Sequence, residues 1–293
     1  MKGFTLVLAA MGQTITVLPR LKRIYRDLIQ NPTLDRAVHA TLDASVSAYS
    51  RAAGFTFPKK FNWDWKWEML AELYEKETVA LCRRLIQPGM HVLDIGAHAG
   101  YFTRLYSKLV GPDGIVLAFE PDPENFALLA QNTRRLKNVR LFPVAISDRV
   151  GTLDFFESEN NTGCHSLIPT GFRPNKISVT ATTLDALMDA GELPKVDLIK
   201  MDIEGAEPIA LEGMRRVVEA NPEIVLIVEF CPNFLRDGHF DPGVFVETLR
   251  ALGFRVFAIK DEELKEITLV HSRNGHFFLK NNYVNLFLSH KSI

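Results

Sequence analysis

From about Glu77 onward, hydrophobic positions fall into short runs separated by segments of helical period. "HVLDIG", "GIVLAFEP", "VRLFPVAIS", "VDLIKMDIE", "EIVLIVEF", "FRVFAIK" and "YVNLFLSH" read as strands, with "GTLDFFES" and "KISVTATTL" as further extended pieces. Between them, "GYFTRLYSKLV", "PENFALLAQNTRRL" and "DPGVFVETLRALG" read as helices, and another helix starts at Pro208. A run such as Ile224 to Phe230 leaves no polar face, so the strand must be covered on both sides. Helices flanking a parallel sheet supply such cover. Residues 78–293 are therefore expected to form a doubly wound α/β domain.

Residues 1–77 read differently, as a helical and aromatic appendage. Leu34, Val38, Leu42, Val46 and Tyr49 recur at helical spacing until Gly54. Trp63, Trp65 and Trp67 alternate in "FNWDWKW", which suggests a short extended piece packed on the body. An aromatic platform for a sugar ranks second, because Trp side chains mostly serve as buried area. At the N-terminus, "MKGFTLVLAAMGQTITVLPRLKRIYR" joins an apolar run to a basic cluster. Gln13, Thr14 and Thr16 dilute that run, and no small-residue cleavage site follows. The run is also short for a membrane span. A helix docked on the body is expected, with a membrane-surface anchor as the alternative.

Composition narrows the partners. Lys and Arg number 34 against 35 Asp and Glu, so bulk charge does not point to nucleic acid. Three cysteines lie far apart, which fits a reducing, cytoplasmic setting and not a disulfide framework.

Ligands of such sheets bind beyond the carboxyl ends of the strands. The first turn, "LDIGAHAGYFT", spaces Asp94, Gly96 and Gly100 as D-x-G-x-x-x-G. That is not the G-x-G-x-x-G of dinucleotide sites; a carboxylate at the turn suits a ligand with an ammonium group. Glu120 ends the second strand in "LAFEPDPENF", where an acid can accept from two ribose hydroxyls. After the third strand, "AISDRVG" offers Asp148 for an exocyclic amine of adenine and Ser147 for a ring nitrogen. A lone strand-end acid is more often a helix cap, but three in succession describe S-adenosylmethionine better than NAD.

"VLDIGAHAGYFT", "FEPDPENF", "VAISDRVGTLDFF" and "IKMDIEGAE" resemble the successive motifs of the FkbM family. The resemblance implies a seven-stranded, mostly parallel class I methyltransferase fold that uses S-adenosylmethionine. It also implies O-methylation of a hydroxyl on a sugar, glycan or secondary metabolite. The expected cofactor set is Asp94, Gly96, His98, Gly100, Glu120, Pro121, Asp122, Ala145, Ser147, Asp148 and Asp202. His98 stands where such turns usually carry Asn or another small polar residue.

"KMDIEGAE" then falls where the transferred methyl would lie, with Asp202, Glu204 and Glu207 within six residues. A hydroxyl nucleophile needs a destination for its proton. Asp202, at the strand end, is the better placed catalytic residue, and Glu204 could share the proton or orient the acceptor. Glu207 precedes Pro208 at a helix start, where an acid has a sufficient structural role. A divalent metal is the second reading of the three acids; no His lies nearby in sequence, and no metal is assigned. The polar loop Glu159–Asn175 with His165, and the later Glu229, Asn233 and His239, belong to the substrate side without an assigned step. A nucleotide-dependent oxidoreductase or a non-catalytic binding protein of the same fold are the alternatives.

Overall fold

In a computed structural model of the chain, residues 32–61, 63–260, 263–267 and 283–291 are described. The N-terminal segment 1–26, read above as a docked helix or a surface anchor, lies outside them. The chain divides into two compact units, residues 1–49 and 50–293. The stripe from Leu34 to Tyr49 falls in a helix, Pro32–Ala52, which is followed by Gly54 with φ of 79°. Among the described residues no helix is long and apolar enough to cross a membrane.

Among its described residues the larger unit carries eleven strands: β1 (His91–Ile95), β2 (Ile115–Phe119), β3 (Val139–Phe142), β4 (Ala145–Ile146), β5 (Gly151–Glu157), β6 (Asn175–Thr182), β7 (Leu198–Met201), β8 (Val225–Phe230), β9 (Arg255–Lys260), β10 (Glu263–Glu266) and β11 (Val284–Ser289). Eight form one sheet in the order β10-β9-β11-β8-β7-β1-β2-β3. From β3 to β8 all neighbours are parallel, whereas β11 runs antiparallel between β8 and β9. The seven expected strands are present, and β10 adds an eighth by pairing with β9. β5 and β6, the two extended pieces, pair with each other, and β6 also pairs with β4, in a separate small sheet.

The apolar strand runs are buried on both faces, as their lack of a polar face requires. Leu93, Ile95, Leu117, Phe119, Ile199 and Met201 pack into one layer. Their neighbours Val92, Val116, Leu198 and Ile227 pack into the other, the alternation expected of a pleated strand. Each such fully buried side chain contributes about 1.5–3 kcal/mol.

Register sets the functional edge. Ile95 pairs with Phe119 and Met201, and Met201 pairs with Val228. Gly96, Glu120, Asp202 and Glu229 each follow one of these residues, so all four come to the same edge of the sheet.

The aromatics of residues 50–77, read above with the appendage, lie in the same compact unit as the α/β sheet. Phe55, Phe57, Phe61 and Met69 bury against Ala99 of the first turn. "WDWKWEML" is also a helix, Trp63–Leu70, and not an extended piece. Residues such as Lys, Glu, Met and Leu favour that outcome, and the helix turns Met69 inward. Trp65 stays partly buried, edge-on to Phe61 at 5.5 Å.

Candidate active site

The first turn is built on left-handed backbone: φ is 84° at Gly96, 50° at His98 and 90° at Gly100. A Cβ at Gly96 would stand 1.9 Å from the Asp202 carbonyl oxygen, so glycine lets the two strand-end turns touch. Asp94 is 1% exposed and accepts from Thr103 Oγ1 at 2.5 Å. Burial pushes its pKa up to about 6 against the opposing effects of Lys200 and Thr103. Asp94 lines a narrow slot with Gly96, Ala97, Tyr101, Phe102 and Asp202.

Glu120 lies on the other side of this turn, 5% exposed. One carboxylate oxygen accepts from His98 N at 2.8 Å and the other from Asp122 N at 2.9 Å. Burial pushes its pKa up to about 8, with those two backbone bonds opposing. A second narrow slot runs past Glu120 and Pro121 between apolar walls from Phe119, Ala145, Ile146 and Phe155. Asn125 lines it too, and its Oδ1 is buried without a hydrogen-bond partner. An acid for vicinal hydroxyls, an orphan acceptor and apolar walls fit an adenosine group.

Three expected cofactor residues take other positions. Asp122 caps the helix Pro123–Thr133 by accepting from Asn125 N at 2.8 Å. Ser147 is fully buried, with its N–H on Thr182 O at 2.9 Å, and does not line the slot. Asp148 lines a different groove with Pro208, Ile209 and Glu212. The cause is local: after Ile146 the chain stays bonded to β6, so the slot is lined by Val144 to Ile146 and not by the two following residues.

The "MDIEGAE" turn follows β7. Lys200, 2% exposed, donates to Asp202 Oδ2 at 2.6 Å and lies 4.5 Å from the Phe102 ring centre. Burial disfavours the charge on Lys200, yet Asp202, Glu75 and Asp94 outweigh it and raise the pKa. Glu207, 1% exposed, accepts from Ile203 N and Gly205 N, each at 3.0 Å. It both starts the helix Glu207–Glu212 and staples the preceding turn. Glu204 adopts φ of 58°. Carboxylate oxygens of Asp202, Glu204 and Glu229 lie within 4.8 Å of one another, a spacing that suits a shared proton or a bound cation. Burial first, and then the charge on Asp202, push Glu204 and Glu229 well above the usual carboxylate range.

The loop Glu159–Asn175 covers both sides of this edge. Thr162 accepts from Asn125 Nδ2 at 3.1 Å through its carbonyl and meets His98 Nε2 at 2.9 Å through its hydroxyl. Burial lowers the His98 pKa to about 4, consistent with a neutral ring against Phe61 at 5.4 Å. His165 accepts from Ser158 N at 2.9 Å through Nδ1, a loop-ordering contact. Arg173, 2% exposed, donates to the carbonyls of Cys164, Ile168 and Glu204 at 2.6, 3.1 and 3.2 Å. It thereby ties the loop to the turn after β7. Beyond the loop opens a cavity of 640 Å³, lined by Phe61, Trp65, Tyr74, Glu75, Asp202 and Glu229 among others. Asn233 also lines it, whereas His239 is exposed and does not.

Lys200, Glu75 and Arg173 escape the sequence reading, and Glu229 is named there without a role. A lysine inside an otherwise apolar strand is the one signal available, since such a charge needs an acid beside it.

Residues 94–256 match the family model described as the methyltransferase FkbM domain. The 2-O-methyltransferase NoeI of Sinorhizobium fredii is 34% identical over 144 residues, which cover 44% of this chain and 59% of that protein. The hexuronic acid methyltransferase AglP of Haloferax volcanii is 27% identical over 211 residues, 70% of this chain and 80% of that one. A solved S-adenosylmethionine-dependent O-methyltransferase from Thermotoga maritima superposes with a TM-score of 0.43 at 15% identity, covering 75% of this chain and 66% of that one. The family match takes in more than half of the 293 residues, and the chain belongs to the FkbM family of S-adenosylmethionine-dependent methyltransferases.

Proposed function

We propose that this protein O-methylates a hydroxyl of a sugar, glycan or hydroxylated small molecule. One observation carries the assignment: the slot beside Glu120, the slot beside Asp94 and the large cavity all share Gly96, His98 and Asp202 as lining residues. Cofactor and acceptor spaces thus meet at the end of β7. The names of the two relatives, a 2-O-methyltransferase and a hexuronic acid methyltransferase, support a sugar hydroxyl as acceptor.

S-adenosylmethionine, when bound, supplies an electrophilic methyl group. Glu120 and Asn125 would hold the ribose and adenine side, and Asp94 the amino acid end. Asp202 would orient the acceptor hydroxyl with the oxygen that Lys200 leaves open. Glu204, with Glu229 beside it, would receive the hydroxyl proton, because a raised pKa makes the deprotonated carboxylate a stronger base. The protein's part is to align these groups and to exclude water. The loop wall of the adenosine slot leaves only about 50 Å³ there, so the loop has to shift to admit the nucleoside.

Calorimetry with S-adenosylhomocysteine tests the placement. Glu120→Ala removes a charged acceptor of two hydroxyls and should weaken binding by about 2–4 kcal/mol. Unchanged affinity would remove Glu120 from the site.

A further inference from the structure

Carboxyl groups far outnumber cationic side chains in the lining of the large cavity. Among the described residues, buried polar atoms without a hydrogen-bond partner occur on three of its lining residues: Glu229 Oε2, Asn285 Oδ1 and Glu204 Oε2, the last with Arg173 Nη2 as an ion-pair partner at 3.7 Å. All three are oxygens that can only accept in their ionised or amide form. Asn285 is 8% exposed and spends its Nδ2 on Glu75 at 2.6 Å and Thr78 at 2.9 Å, leaving Oδ1 for a ligand. The wall adds further carboxyls from Glu68, Glu75, Glu77 and Asp202, against Lys260 as the cationic side chain of the lining.

A buried acceptor with no donor destabilises the site by the full cost of its lost hydration. A ligand that fills this space must therefore bring donors. Hydroxyls and protonated amines do so; a carboxylate or phosphate brings none and adds like charge beside a wall of acids. The aromatic wall points the same way. Trp65 and Tyr74 both line the cavity, with ring centres 6.5 Å apart. Such faces favour a pyranose face by burial and an ammonium by its charge.

We infer that the acceptor is a hydroxyl-rich molecule with no anionic group, an uncharged or amino sugar, and that the cavity rejects uronic acids and phosphorylated sugars. This rests on the methyltransferase assignment above and separates the chain in specificity from a relative named for hexuronic acid. Glu229 is the specificity-determining residue, since it faces the acceptor space at the strand edge and leaves an oxygen open.

The test measures S-adenosylhomocysteine formation from S-adenosylmethionine and a glycoside panel. The panel holds glucosamine, glucose and glucuronate members, with their galactose and mannose counterparts, as methyl glycosides and disaccharides. Chelator is present throughout, so that no metal ion bridges an acid to the wall. Turnover is expected on amino and neutral members, with kcat/KM for the matched uronate lower by about a hundredfold, as like-charge contact implies. Glu229→Gln, checked for fold by circular dichroism, should shrink that neutral-to-uronate ratio about tenfold. A uronate or phosphorylated member as the best acceptor overturns the inference. So does a panel with no neutral or amino acceptor while S-adenosylhomocysteine binds, a result that leaves the cofactor assignment standing. Loss of S-adenosylhomocysteine binding in the parent protein would instead overturn the assignment beneath it.

Discussion

Replacing Glu207 with Gln probes the turn on which the site is built, and it needs no acceptor. The carboxylate is 1% exposed and takes two backbone N–H groups, from Ile203 and Gly205, at 3.0 Å each. Glutamine keeps one oxygen and puts an NH2 group where the other stood. One N–H then loses its partner and faces a second donor. A hydrogen bond to a charged group contributes about 1.5–3 kcal/mol, and an unsatisfied buried N–H adds about 1–3 kcal/mol. Allowing the turn to relax, the expected loss is about 2–4 kcal/mol. The helix-start role alone would give only about 0.3–1 kcal/mol, so the two accounts differ measurably. Urea unfolding of the parent and Glu207→Gln, followed by far-ultraviolet circular dichroism, reads the difference at unchanged m. A loss under about 1 kcal/mol would refute the staple and restore the helix-start reading.

Two further outcomes concern the chemistry. Asp202→Asn should lower the methylation rate about 10²–10⁴-fold with little change in S-adenosylhomocysteine affinity. Because a base must be deprotonated, the raised pKa values of Glu204 and Glu229 place the acid limb of kcat above the ordinary carboxylate range. Burial is the first cause and the Asp202 charge the second, so the substitution should move the limb to lower pH; a limb that stays in place contradicts the shared cluster. Arg173→Met strips three carbonyls of their donor, and should speed S-adenosylhomocysteine dissociation about tenfold or more and expose residues 159–175 to protease. Arg173→Lys should restore part of both, and parental dissociation in Arg173→Met would show that the loop does not depend on this tie.

The sheet and its ligand-facing edge were legible because a parallel register carries strand-end residues to one place. Asp94, Glu120 and Asp202 each close an apolar run, and pairing of Ile95 with Phe119 and Met201 does the rest. Ser147 and Asp148 lie outside the slot beside Glu120 because β4 pairs with β6 in a second sheet, a choice that no local pattern announces. The tryptophan segment misled for a similar reason. Its alternation suits a strand, but burial of Met69 against Phe61 and Ala99 favours a helix. Glu229 gains its meaning from the sheet register, which sets it beside Asp202 and Glu204 and opposite Asn285 on β11. Arg173 lies in a polar loop, where its burial between Phe172 and Phe234 depends entirely on tertiary packing.

The central claim is tested most directly by titrating the parent protein with S-adenosylhomocysteine and, in parallel, with NADH in a calorimeter. A turn with a carboxylate at Asp94, an acid at Glu120 and no G-x-G-x-x-G predicts saturable one-to-one binding of S-adenosylhomocysteine and no heat from NADH. Saturable binding of NADH with none of S-adenosylhomocysteine would contradict the account.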